Sequence, residues 1–147
     1  MDLIVIILAA LLLIGSISIA IPSRSSREIS KIRMEAKLIG CKITSNLYGE
    51  NKFKNHPKYS VSYRIKNKTH LKEGHFIRDK DKLILYSPVK LKYSDSFDYL
   101  NEELQNVSNS LEEVIFTSVS ISFLWKELDG LNELKKIIKN FDKLKKF

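Results

Sequence analysis

Hydrophobic and polar positions change rhythm several times along the chain. Leu3 to Ile21 carries no charge, and its polar exceptions are Ser16 and Ser18, with the small Gly15 beside them. About 20 such residues cross a ~30 Å hydrocarbon core as a helix. Serine hydroxyls return their donor to a carbonyl one turn back, so they cost little there. The stretch predicts a transmembrane anchor over residues 1–22, ended at Pro22. Ser25 to Lys37 then sets Ile29, Ile32 and Ala36 on one side, with Ser25 and Glu28 at capping-box spacing. That pattern predicts a juxtamembrane amphipathic helix over residues 23–37.

From Leu38 the period falls to two. Ile39, Cys41, Ile43 and Leu47 alternate with Lys42, Thr44 and Asn46, and Tyr59, Val61, Tyr63 and Ile65 alternate with Ser60, Ser62 and Arg64. Asn67-Lys68 and Asp79–Lys82 read as turns around a strand within Thr69–Arg78. Leu83–Tyr86 reads as a further strand, stopped by Ser87-Pro88. Four strands with short polar connections form an antiparallel meander. After Tyr93 the spacing of Phe97, Leu100, Leu104, Val107, Leu111 and Val114 is helical, with acids in the first turns. Ile115 to Trp125 fits a continued helix or a strand, and its Ser alternation and β-branched residues favour strand. Leu131, Leu134, Ile138 and Phe141 form a last helical stripe, led by acids and closed by lysines.

The fold class that follows is α+β: an N-terminal transmembrane helix, then one small domain over residues 38–147 whose antiparallel β-meander is covered by two helices, one acidic and one basic and C-terminal. The expected core is Ile39, Ile43, Val61, Tyr63, Ile65, Leu85, Leu100, Leu104, Val119, Ile121, Phe123 and Trp125. A length of 147 residues suits one such domain plus an anchor.

Charge adds an address. The net charge of +8 is uneven: Pro22–Tyr93 holds 18 basic and 6 acidic residues, Ser94–Glu133 holds 1 and 9, and the closing stretch 6 and 1. Basic residues beside a membrane helix mark its cytoplasmic side, so the N-terminus is expected outside and the domain in the cytoplasm. Arg24, Arg27, Lys31, Arg33 and Lys37 are the expected membrane-surface contacts, each drawn to an anionic leaflet by about 1 kcal/mol within a Debye length of ~8–10 Å. Ser16 and Ala20 form a small-xxx-small pair suited to self-association of the helix. A competing expectation is an exported or surface-facing binding domain released by signal cleavage after Ala20, with Ser18 and Ala20 at the small-residue positions. The lack of Lys or Arg before the segment, and its length, favour the retained anchor.

Catalytic chemistry is harder to find. His70 and His75 are five apart, on opposite faces of one strand, so they do not share a metal simply. His56 stands apart from both, and Cys41 falls in an apolar pattern. There is no P-loop, dinucleotide fingerprint, G-x-S-x-G or H-E-x-x-H. Ile21-Pro22-Ser23-Arg24-Ser25-Ser26 resembles the serine motif of type I signal peptidases over about five residues. Ser26 and Arg27 stand where that family has Met and Pro, and its Gly-Asp-Asn block is absent, so no peptidase function follows. Tyr48, Phe53, Tyr59 and Tyr63 interleave with Lys52, Lys54, Lys58 and Arg64 as a base-stacking platform requires. Tyr59 and Tyr63 share the apolar strand face, which favours core over nucleic acid. No catalytic, cofactor-binding or metal-ligating residue is assigned. The expected role is a membrane-anchored, non-catalytic interaction protein, with the bilayer and an unidentified protein as partners.

Overall fold

A computed structural model describes residues 1–45, 53–55 and 58–146. Helix α1 spans Asp2–Ala20, and its two hydroxyls fold back along it: Ser16 Oγ donates to the Leu13 carbonyl and Ser18 Oγ to that of Ile14, each at 2.9 Å. None of its residues is buried. It begins the one stretch of helix, among the described residues, that is long and apolar enough to cross a membrane. Ile21 turns extended ahead of Pro22, as a following proline ring demands.

Helix α2 covers Arg24–Leu38 and is capped by Ser23, whose hydroxyl accepts the Ser26 amide at 3.1 Å. The cap is therefore two residues ahead of the expected Ser25. Ala36 is fully buried on its inner side, with Ile29 and Ile32 half-buried alongside. Gly40, at φ +96°, ends the helix. Its amide donates to the Lys37 carbonyl at 3.2 Å and the Cys41 amide to that of Ala36 at 3.0 Å, the paired bonds of a Schellman motif. Leu38–Gly40, expected to open the first strand, thus closes a helix. Ile39 is left 47% exposed and outside the core, while Cys41 packs inside.

The sheet has six strands: β1 (Lys42–Ser45), β2 (Val61–Lys66), β3 (Glu73–Asp79), β4 (Lys82–Ser87), β5 (Leu111–Thr117) and β6 (Ser120–Trp125). Their order is β1-β2-β6-β5-β3-β4, and each neighbouring pair is antiparallel. The β5–β6 hairpin sits between the first two strands and the second two. With the long apolar helix and the further helices, the fold is α+β. Leu47 and Tyr48 lie outside the described residues.

Helix α3 is Phe97–Gln105, shorter than the expected stripe, and α4 is Leu131–Lys143. The run Asn106-Val107-Ser108-Asn109-Ser110 prefers turns to helix, and the Ser110 amide donates to Ser108 Oγ at 3.1 Å. Leu111 and Val114 therefore belong to β5. The Ile115–Trp125 segment is strand, as its alternation favoured, but broken by a two-residue turn. Val119 occupies that turn and is 73% exposed, not core.

One face of the sheet presents Tyr63, Phe76, Val114, Phe116, Ile121, Phe123 and Trp125 to Leu100 and Leu104 of α3, Leu134, Ile137 and Phe141 of α4, and Ala36 of α2. Phe141 meets Phe123 at 5.5 Å between ring centroids and Phe116 at 6.1 Å, edge to face. Ser108 donates to Glu133 and Ser110 to Asp129, tying the loop before β5 to the approach and first turn of α4.

Candidate functional site

The opposite face of the sheet is organised by charge. Strand alternation sends His75 of β3 and Glu113 of β5 to this side, with Leu124 of β6 opposite Glu113. Two irregularities shape the position. β5 skips Glu112 between Leu111 and Glu113 in its pairing with β6, and β4 skips Tyr86 in its pairing with β3. Such bulges re-aim the side chains beside them, and here they bring Glu113 and Tyr86 around one imidazole. The His75 and Tyr86 rings meet edge to face at 5.0 Å, and the Lys54 ammonium lies 4.7 Å from the Tyr86 ring centroid.

Glu113 is fully buried and its carboxylate is crowded with donors. The Lys54 amide donates to Oε1 at 2.7 Å and the Asn55 amide to Oε2 at 2.9 Å, while His75 Nε2 lies 2.5 Å from Oε1. Burial works to raise the Glu113 pKa. The hydrogen bond from His75 and the two backbone amides outweigh it and hold the carboxyl below its ordinary value. An ionised carboxylate only accepts, so the proton between the two groups sits on His75 Nε2. The consequence is mechanical: Glu113 clamps the segment of Phe53, Lys54 and Asn55 onto the sheet, and Phe53 is 3% exposed as a result.

Beside His75 a cleft of about 210 Å³ opens between Gly74, Ser87, Pro88 and Ile115. An ionised carboxylate fixing an imidazole tautomer is the orienting half of an acid–base pair. Among the described residues no hydroxyl or thiol is hydrogen-bonded to His75, so the arrangement holds a proton and a loop without an attached nucleophile.

Sequence reasoning missed this pair because it read Glu113 as part of a helix. The available signal was a pair of adjacent carboxylates, Glu112 and Glu113, between Leu111 and Val114 in an otherwise apolar run. Of the expected membrane contacts, Arg24, Arg27, Lys31 and Lys37 are exposed along α2, with Arg24 3.6 Å from Glu28. Arg33 is turned inward instead, gripping both carboxylate oxygens of Glu127 with a closest approach of 3.0 Å. Cys41 is buried and its thiol is pushed up to about 11 by that burial, which suits a core residue. His70 is exposed, and His56 lies outside the described residues. Among the described residues no three His, Cys, Asp or Glu side chains gather as metal ligands. The stacking platform loses two members, since Phe53 and Tyr63 are both buried. No protein-family model, curated protein or solved structure matches the chain.

Proposed function

We propose that the protein is a single-pass membrane-anchored interaction module that performs no catalysis. Its small basic α+β domain is held at the cytoplasmic face of the membrane and offered to a protein partner. The observation that carries this reading is α1, which carries no charge after Asp2 and has no buried residue. Large apolar side chains left in water this way, such as Leu3 at 71% and Leu12 at 72% exposure, need another apolar medium. Four exposed cations follow on α2, and the positive-inside rule turns them toward the cytoplasm and its anionic leaflet. The absence of catalysis is supported by Glu113, whose two oxygens are both committed to holding a loop. A helix pair meeting through Ser16 and Ala20 remains part of the proposal, and the Ser16 hydroxyl is already satisfied within its own helix.

Intact mass of the mature protein tests the anchor directly. The full-length mass, recovered from membranes that resist carbonate extraction, is expected; a species beginning after Ala20 in a soluble fraction overturns it in favour of an exported domain. Orientation is read by protease treatment of right-side-out cells carrying a C-terminal tag, which is expected to survive. Co-purification after mild detergent extraction at native expression is expected to bring down a protein partner.

A further inference from the structure

We propose that a second cleft, between α2, the start of β2 and the end of β6, binds a single-chain lipid with one anionic head drawn from the adjoining bilayer. This rests on the anchored reading of α1. The cleft measures about 440 Å³, within the usual range of small-ligand sites. A space of that size matches one acyl chain better than the pair of a diacyl lipid.

Its walls are apolar where a chain would lie: Ile29 of α2, Val61 of β2 and Trp125 of β6, with Leu128 at 72% exposure beside them. Trp125 is 2% exposed, yet its Nε1 donor has no hydrogen-bond partner. Buried donors are almost always paired, so an unpaired one in the wall of a cleft points to an acceptor supplied from outside. Tyr63, whose ring meets Trp125 edge to face at 5.5 Å, repeats the theme. Its hydroxyl is close enough to Glu127 and Arg33 to feel both charges but makes no well-formed hydrogen bond.

The charges select the head. Arg33, Lys58 and Lys126 line the cleft against Glu127 and Asp129. Arg33 is spent on Glu127, and Lys126 reaches Glu112 at 3.3 Å. Lys58 has no ion pair among the described residues, and Asp129 accepts from the Ser110 hydroxyl. The lining as a whole sets three cations against two carboxylates, a net of one positive charge for one anionic head. The source is near. Ile29 stands nine residues past the end of α1, no more than about 20 Å along the chain.

Trp125 is the only tryptophan, so it reports occupancy without a label. The full chain is reconstituted into phosphatidylcholine vesicles and its co-flotation checked first. Chain-brominated single-chain lipids, which quench nearby tryptophan, are then titrated in: a fatty acid, lysophosphatidylglycerol and lysophosphatidylcholine. Saturable quenching by one or both anionic lipids, reversed by the unbrominated form and absent for the zwitterion, is expected. Lys58→Glu is expected to weaken it about tenfold at an unchanged unfolding midpoint, and Leu128→Asp to weaken it as well. Equal quenching by all three lipids, or no saturable quenching in a chain that floats, overturns the pocket while the anchor stands. A chain that fails to float overturns the anchored reading itself.

Discussion

Phe123 and Leu124 are neighbours in β6, and both are completely buried, yet they belong to different kinds of interior. Phe123 faces α3 and α4 in a continuous apolar core stitched by aromatic contacts. Leu124 lies opposite Glu113, on the side where the described cover is the segment of Phe53, Lys54 and Asn55, tied down by two backbone amides on one carboxylate. The first face is held by area and packing, which are non-directional and summed over many contacts. The second is held by a few directional bonds, each of which matters singly. One sheet therefore carries a robust side and a switchable side.

The largest effect should come from breaking the robust side. Phe123→Ala removes a buried ring contacted by Tyr63 and Phe141 and is expected to cost about 3–5 kcal/mol. The urea midpoint of the detergent-solubilised chain measures it. A loss under about 1 kcal/mol would mean that this face is not the principal core.

Glu113→Gln sharpens the contrast, because it conserves shape while removing charge. On the helical face a volume-conserving swap is nearly free. Here the loss of a charged acceptor serving three donors is expected to cost about 1–3 kcal/mol. Amide exchange should show where: Lys54 and Asn55 lose protection, while the amides of α4 keep theirs. Uniform loss across both regions would show that the two faces unfold as one unit.

The same clamp predicts an acid response. The Glu113 carboxyl titrates below its ordinary 4.5 in the folded chain, so the folded state favours the ionised form. Its contribution is complete above that ordinary value and disappears as pH falls through the lowered one. Acidification should free the segment 53–55 before the helical face loosens, and Glu113→Gln should abolish that early step. A weaker acid slope remains in the variant from Glu133, which is half-buried and held low by its hydrogen bonds from Lys136 and Ser108. Wild type and variant showing identical exchange at Lys54 and Asn55 from neutral to acid pH would refute the clamp.

The two faces also differ in how far they can be read from the chain. Alternation at Val61, Tyr63 and Ile65, and at Ile121, Phe123 and Trp125, announces the helical face because every second residue repeats the same message. The polar face depends on single residues brought from separate strands: His75 and Tyr86 stand 38 and 27 positions before Glu113, and two bulges set their aim. No period records a bulge. The helix ends were partly legible, in that Gly40 stands where a Schellman cap needs a left-handed residue, but the alternating Ile39, Cys41 and Ile43 masked it. The strand order was not legible, since insertion of β5–β6 between two hairpins leaves no local trace. The pairing of Arg33 was illegible for a related reason: its partner Glu127 is 94 residues away.

The smallest expected effect concerns a residue that alternation misassigned. Val119 continues the apolar phase of Ile115, Ile121 and Phe123 in sequence, which is why it reads as core. The turn between β5 and β6 breaks that phase. Thr117 Oγ1 accepts the Ser120 amide at 3.0 Å and closes the hairpin, and Val119 points away from both interiors while its carbonyl accepts the Asn67 amide at 2.9 Å. The backbone at this position is in use and the side chain is not. Val119→Ser should therefore change stability by no more than about 0.5 kcal/mol, whereas the same change at Ile121, two residues on, buries a hydroxyl in the robust core and should be severe. Equal penalties at the two positions in urea titrations would mean that the turn is covered in the folded protein, and that a third interior exists beside the two faces compared above.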